Sequence, residues 1–438
     1  MYKKLYAILP IYIQNLVFSV YGYINDFRRY PTKYYEVERE VLRGNNKNRE
    51  EIISLQKIKL SEQLKSAVKS TFWSNRFKKY NVDINGDPFF ELNKLPILTK
   101  KEVRDNVENI LIKDSTSVVG ISTSGTTGAG LSFYESRESE WYRWATWWRY
   151  RFDYGVNKRT WCAIFSGRSF VFNSKPPFYR INFSARQYYF CAYNISLDNI
   201  DSYIEALNSK KAPWIHGYPS LLSQISSLAL KKKLKLLYKP KVVSIGSESL
   251  QPWQAKVINE FFRVEPIQHY GLAESVANFS QRKDEKCLTV DEDFSYVEFI
   301  NDSIVGTNFN NPVFPLFRYQ TGDLAVNVDE STFPRKLGSV EGRSDDVIVL
   351  ANGIRIGRVG HVFKNFSSID QVQIYQPNYE TLIVRLLKNA RWKEVHEVEL
   401  RRALNDLFSG RVSILIEDET NICRTKSGKV KFVISEVH

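Results

Sequence analysis

Five short segments of this sequence carry residue types that bind phosphate, metal or sugar hydroxyls. The first, GISTSGTTGAG at 120–130, follows an apolar run and mixes glycines with small hydroxyl side chains. Such a loop turns successive backbone N–H groups and hydroxyls toward phosphate oxygens. It is not a Walker loop, because no Gly-Lys-Ser/Thr closes it; an ordinary glycine-rich turn is the competing reading. YGLAE at 270–274 and YQTGD at 319–323 each end in a carboxylate beside a glycine-containing turn. GRSDD at 342–346 joins a cation to two carboxylates, with Gly353 close behind in ANGIRI. RTKSGK at 424–429 places basic side chains near the C-terminus. Taken singly, the last four segments read as turns or solvated ends.

The elements expected to position these segments change along the chain. Residues 1–115 read as mainly helical. Within them, 50–69 has Ile52, Ile53, Leu55, Ile58, Leu60, Leu64 and Ala67 at helical spacing. In PILTKKEVRD, Thr99 with Glu102 three residues on forms a capping signal. From Ser117, β-branched runs (SVVGIST, WCAIFSG, PWIHGYP, KVVSIGS) alternate with helical stretches at 200–207 and 221–233, which implies α/β layers. After about 289 the strands crowd together, as in YVEFI, SIVGT, LFRYQTGDLAV and DDVIVLANGIRI. The 93 residues from 346 to 438 mix strands (VQIYQ, LIVRLL, VSILI) with one helix at 393–408.

At 438 residues the chain is too long for one ordinary core. Its 25 Tyr, 27 Phe and 9 Trp predict large aromatic cores; Trp141, Trp144 and Trp148 share one helix face and read first as packing. A net charge of +14 suits polyanions or anionic small molecules. Nucleic acid is disfavoured, since no zinc-finger spacing, RNP-like segment or recognition-helix pattern is present. The basic run Lys231, Lys232, Lys233 and Lys235 reads as a solvated helix end. Cys162, Cys191, Cys287 and Cys423 are dispersed and form no CxxC pair, so neither a disulfide framework nor zinc is expected, and a reducing cytoplasm fits. The apolar opening LYAILPIYIQNLVFSVYGY is interrupted by Pro10, Gln14 and Asn15. It falls short of the ~20 apolar residues a spanning helix needs, and no signal-peptide cleavage pattern follows. Two readings stay open: a helix packed in the core, or one resting peripherally on the inner face of a membrane through residues 1–30, helped by Lys3, Lys4, Arg28 and Arg29.

In order, SGTTG, YGxxE, YxTGD, GRxDD and a terminal SGK resemble the acyl-adenylate-forming superfamily of acyl-CoA synthetases, peptide-synthetase adenylation domains and luciferases. SKPPFYR at 174–180, HGYPS at 216–220 and the LP…QN…GY…RY opening are similar to phenylacetate–CoA ligase relatives, most of all the CapK group associated with capsular polysaccharide synthesis. The resemblance implies an α/β fold with a large multi-layer N-terminal adenylation domain at 1–344 and a small mobile α+β lid at 345–438, hinged at Asp345. It implies that Ser124, Gly125, Thr126, Thr127 and Gly128 hold ATP phosphates, that Gly246 to Glu248 wall the adenine, and that Tyr270 belongs to the nucleotide site. Asp323 would bond the ribose, Arg343 ribose or phosphate, Glu274 Mg²⁺, and Lys429 the substrate carboxylate and α-phosphate. Tyr134, His216, Gly217, Tyr218 and His269 are the acyl-pocket candidates; for His269 a buried structural role competes.

The implied reaction joins anions, so charge neutralisation and positioning must dominate it. A lysine needed for adenylation and obstructive afterwards belongs on a moving lid. The implied partners are ATP and a small carboxylic acid, with CoA or an amine on an amino acid or amino sugar as the open alternatives for acceptor. This sequence departs from the family in having Gly130-Leu131 where Pro-Lys commonly follows TTG, and Ala273 where Ser or Thr is frequent. It lacks the cysteine cluster that some relatives carry before GRxDD. The competing functional reading is a catalytically degenerate scaffold in a membrane-associated glycan assembly.

Overall fold

A computed structural model describes residues 6–44, 47–113, 118–122, 132–166, 175–192, 194–341, 348–351, 355–356, 359, 362–363, 366, 368–408, 410–419, 422 and 431–437. The chain divides into two compact units, each made of separate stretches: Met1–Ile24 with Lys158–Gln268 and Gly342–His438, and Asn25–Asn157 with His269–Glu341.

The first unit is built on a six-stranded sheet in the order Tyr179–Asn182, Gln187–Cys191, Cys162–Ser166, Trp214–Gly217, Val242–Ile245, Pro266–Ile267. All neighbours are parallel except the first pair. Helices cover such sheets, so their central strands read as unbroken apolar runs; Val242–Ile245 is buried at every position. The helices Ile200–Lys210, Pro219–Lys231 and Pro252–Phe262 connect the strands and bury Tyr203, Leu222 and Ile258 with Phe165 and Ile215 in one core.

The tail belongs to the same unit and has its own core. Its sheet runs Ser413–Asp418, Thr381–Lys388, Ile369–Gln376, Val433–Ser435. The helix Glu394–Phe408 buries Leu400, Leu404 and Phe408, spaced four apart, against Ile374 and Leu382. The tail touches the preceding helices where Gln371 Nε2 donates to the Ser220 carbonyl (3.2 Å) and where Arg391 pairs with Glu260 (2.6 Å).

The second unit holds a seven-stranded antiparallel sheet in the order Ser295–Ile300, Ser303–Asn308, Tyr319–Asp329, Lys336–Glu341, Leu288–Val290, Asn278–Gln281, His269–Gly271. Its helices include Arg49–Ala67, Lys100–Asp105 and Arg137–Asp153. Thr99 caps Lys100–Asp105 through the reciprocal bonds the sequence predicts, Glu102 N to Thr99 Oγ1 and Thr99 N to Glu102 Oε2. Trp73, Phe77, Phe314, Phe317 and Tyr319 lie in one of its cores.

Of the two readings left open for the N-terminal segment, packing in the core does not fit the structure. The N-terminal helix Ile11–Arg29 does not pack as a core helix: of its residues only Gln14, Phe18 and Gly22 are buried. The reason is that its polar positions, not its apolar ones, make the contacts with the strand Tyr179–Asn182. Asn15 Oδ1 accepts from Ile181 N (2.9 Å), and Gln14 Oε1 accepts from Arg180 Nε (2.6 Å). Among the described residues no helix is long and apolar enough to cross a membrane.

Candidate functional site

The predicted site residues that are described fall into two groups, one in each unit. The first group lies at the carboxyl ends of parallel strands. From Cys162–Ser166 the chain goes to one side, to Gln187–Cys191, and then returns to place Trp214–Gly217 on the other. That reversal is a topological switch point, where open α/β sheets bind ligands. His216, Gly217 and Tyr218 sit there, and Gly246 and Glu248 follow the neighbouring strand Val242–Ile245.

His216 lies in register with Ser244 on the adjacent strand, and its Nδ1 is 2.9 Å from Ser244 Oγ. The same hydroxyl accepts from Trp214 Nε1 (2.7 Å). A hydroxyl that accepts from the indole is placed to donate to Nδ1, the arrangement that leaves the ring proton on Nε2. Gly217 must be glycine: a Cβ there would come within 2.8 Å of the Phe165 carbonyl. Tyr218 occupies the N-cap position of the helix Pro219–Lys231 without a side-chain capping bond, and the helix N-terminus faces Glu248. Ser220 N and Oγ donate to the two Glu248 oxygens, each at 3.1 Å. A carboxylate at a helix N-terminus is stabilised by the exposed N–H groups and the dipole. Glu248 is therefore engaged by the protein, and the backbone beside it turns at Ser247, whose φ is +69°.

The second group gathers on the antiparallel sheet. Tyr270 and Asp323, 53 residues apart in sequence, meet through a hydrogen bond from the Tyr270 hydroxyl to Asp323 Oδ2 (2.7 Å). The Tyr270 ring stacks on Phe279 with centroids 4.9 Å apart. Burial, then Asp323 and the charge of Glu274, hold its phenol well above the usual tyrosine range. Asp323 follows Gly322, whose φ of +83° permits a turn in mid-strand that a side chain would strain. Thr321 Oγ1 accepts from Asp323 N (3.1 Å) and donates to the Ile304 carbonyl (2.9 Å). Each letter of YQTGD from the threonine on thus has a geometric reason.

Glu274 is buried, with 7% exposure. Its segment is held by the backbone: Arg143 Nη1 donates to the Ala273 carbonyl (2.9 Å) and Asn308 Nδ2 to that of Glu274 (3.4 Å). Arg143 is itself anchored on Glu135 (2.7 Å). Among the described residues no group of three His, Cys, Asp or Glu could cage a metal. A single buried carboxylate suits Mg²⁺, which takes one or two protein carboxylates, substrate phosphates and water.

His269 is placed in a network. Its Nε2 is 2.9 Å from Asn278 Oδ1, which also accepts from Trp147 Nε1 (3.0 Å), while Asn278 Nδ2 donates to Asp291 (2.6 Å). The ring stacks on Tyr150 with centroids 4.9 Å apart. Burial, then Arg151, lowers its pKa to about 3, so it is neutral at physiological pH. The Tyr134 hydroxyl donates to Glu108 (3.1 Å), a bond that pushes the phenol upward. Ser124, Gly125, Thr126, Thr127, Gly128, Arg343, Asp345 and Lys429 lie outside the described residues.

Sequence reasoning missed Ser244, Asn278, Arg143 and Asn308. Ser244 alone had a usable signal, a polar residue inside the otherwise apolar KVVSIGS strand. The others are found only through pairings between distant segments.

Residues 349–436 match the family described as the CapK C-terminal domain. The chain is 25% identical to Protein CapK of Staphylococcus aureus over 457 aligned positions, all of both chains being covered. A 2-hydroxyisobutyryl-CoA ligase solved in the postadenylation state with R3-HIB-AMP superposes with a TM-score of 0.62 at 15% identity, over 86% of this chain and 88% of that one. The same ligase in an open conformation with 2-HIB-AMP and CoA gives 0.51 at 16% identity, over 86% and 90%. The chain is therefore CapK-like and is built on the fold of the acyl-adenylate-forming ligases.

Proposed function

We propose that this protein is an AMP-forming acid ligase. A substrate carboxylate oxygen attacks the α-phosphorus of ATP, the bond from that phosphorus to the β-phosphate oxygen breaks, and pyrophosphate leaves. The acyl group then passes from AMP to a thiol or an amine. The observation that carries this reading is the hydrogen bond between Tyr270 and Asp323, which joins YGLAE to YQTGD within one unit. Asp323 would receive the ribose hydroxyls. Glu274 would hold Mg²⁺, which neutralises phosphate charge when bound. His216, Gly217 and Tyr218, at the switch point, are the acyl-pocket residues, and the backbone at 246–248 the adenine wall. Ser124–Gly128 would cradle phosphate, Arg343 contact ribose or phosphate, and Lys429 bridge carboxylate and α-phosphate, on a lid hinged at Asp345.

The resemblance to CapK supports a place in capsular or other surface polysaccharide synthesis, with an amino sugar or CoA as acceptor. The protein would work in the cytoplasm, in peripheral contact with the inner membrane face. ATP–pyrophosphate exchange across a panel of carboxylic acids tests the reading. Acid-dependent exchange with at least one acid is expected, and it should stop on removal of Mg²⁺. Bound ATP without exchange for any acid would favour the degenerate scaffold.

A further inference from the structure

The helix Ile11–Arg29 turns outward the face that a soluble helix hides. Ile8, just ahead of it, and Tyr12, Leu16, Val20, Tyr23 and Ile24 recur every three or four residues at 51–78% exposure. That spacing defines one stripe. Gln14, Phe18 and Gly22, four apart on the opposite side, are buried. The orientation is fixed by directional contacts. Gln14 bonds Arg180, Asn15 bonds Ile181 N, Ser19 Oγ accepts from Phe183 N (3.0 Å), and Phe18 meets the edge of Tyr189 at 5.6 Å. Rotating the helix to hide its apolar side would take from Arg180, which is 1% exposed, the Gln14 oxygen that accepts from its Nε. Phe183, at 59% exposure, lies where Ser19 bonds its backbone and continues the apolar surface. A contiguous apolar face of this kind marks a contact surface.

Charge identifies what covers it. From 11 to 25 the sequence has no charged residue; Lys3 and Lys4 precede this stretch, and Asp26, Arg28, Arg29 and Lys33 follow it, so cations outnumber the one carboxylate. Arg28 and Arg29 lie in the last turn of the helix and share Glu140 (3.5 and 3.7 Å), one carboxylate between two cations, with Arg28 the more exposed. A second copy laid face to face would set cations against cations, whether the helices ran parallel or antiparallel, and like charges oppose such pairing. An anionic lipid surface attracts both ends at once. Tyr12, Tyr21 and Tyr23 add amphipathic rings suited to the headgroup level.

We propose that this face is a seat on an anionic lipid surface, with the helix axis lying in the plane of the interface. The proposal deepens the peripheral-contact part of the reading above. It stands or falls apart from the adenylation part, because its test reads binding and not turnover. The full chain is floated with phosphatidylcholine vesicles, and with vesicles containing about 30% phosphatidylglycerol, an anionic fraction that attracts juxtamembrane cations. Binding to the anionic vesicles is expected to exceed binding to the neutral ones by about tenfold and to weaken in high salt. Leu16→Ser/Val20→Ser and Leu16→Glu/Val20→Glu should each lower it by about tenfold or more at unchanged melting temperature, since both side chains point away from the fold. Equal flotation of wild type and variants would overturn the proposal. So would absence of flotation combined with a dimer, seen in sedimentation velocity, that the variants dissociate.

Discussion

If Asp323 holds the ribose, the enzyme must distinguish ATP from its deoxy analogues, and the size of the preference follows from the site. A hydrogen bond between a hydroxyl and a buried carboxylate contributes about 1.5–3 kcal/mol. Deleting the ribose hydroxyl should therefore lower kcat/KM by about 10- to 100-fold, at 1.4 kcal/mol per decade. Asp323 is 9% exposed, so bulk water offers little compensation. Asp323→Ala should bring the preference for ATP over both 2′-deoxy- and 3′-deoxy-ATP below about threefold. Asp323→Asn guards against a folding artefact, because its amide oxygen still accepts from Tyr270. Tyr270→Phe preserves the stack on Phe279 and the carboxylate charge but removes the bond that pins Oδ2. It should raise KM for ATP several-fold, with kcat and the ribose preference mostly retained. Pyrophosphate exchange with the three nucleotides on the same four proteins reads all of this. Preferences unchanged in Asp323→Ala would refute the assignment of the ribose to this carboxylate.

Three further outcomes are expected. Arg149 is buried between Asp291 (2.8 Å) and Asp293 (2.5 Å), so Arg149→Leu takes the guanidinium from Asp293 and leaves Asp291 with Arg282 (2.8 Å) alone as its cation; a loss of about 3–5 kcal/mol should appear as a melting temperature lower by about 10 °C, and a fall under about 2 °C would contradict it. His269 titrates near 3 in the fold against 6.5 unfolded, so the unfolded chain binds the extra proton between those values; stability should be full above pH 6.5 and decline as pH falls toward 3, and a melting series of His269→Gln should show a shallower acid slope than wild type. If Lys429 bridges the carboxylate and α-phosphate as proposed, Lys429→Ala should slow adenylation by about 100-fold while sparing transfer from a supplied acyl-adenylate, since a charge-assisted contact to the attacking carboxylate and phosphate would be lost; equal loss in both half-reactions would count against that role.

The secondary structure was legible wherever local signals agree with burial. The 50–69 periodicity gives Arg49–Ala67, the Thr99 box gives Lys100–Asp105, and the tail pattern at 393–408 gives Glu394–Phe408. The N-terminal helix was legible as a helix but not in its orientation. Polar residues in an apolar run ordinarily turn to water, and here Gln14, Asn15 and Ser19 turn to a strand edge. The composition of the two units was also hidden. The break between Gln268 and His269 falls one residue after the strand Pro266–Ile267 ends and directly before His269–Gly271 begins, with no extended linker to mark it.

The site itself divides by the kind of constraint each residue meets. Gly322 answers a backbone demand, a positive φ at a mid-strand turn, and Gly217 answers a close approach to the Phe165 carbonyl. Demands of that kind admit few residue types and leave short fixed strings, which is why YQTGD and HGYPS stood out. The groups that orient the functional side chains meet a different demand, placement opposite a partner. Ser244 serves His216 because two parallel strands adopt one register, and Asn308 holds Glu274 across 34 residues of chain. Register comes from the packing of whole sheets, and many polar residues at many positions would satisfy it in one fold or another. Substituting these supporting residues should therefore perturb function by misplacing His216 or Glu274. Ser244→Ala should shift KM for the acid while leaving KM for ATP near its wild-type value, and the reverse pattern would remove His216 from the acyl pocket.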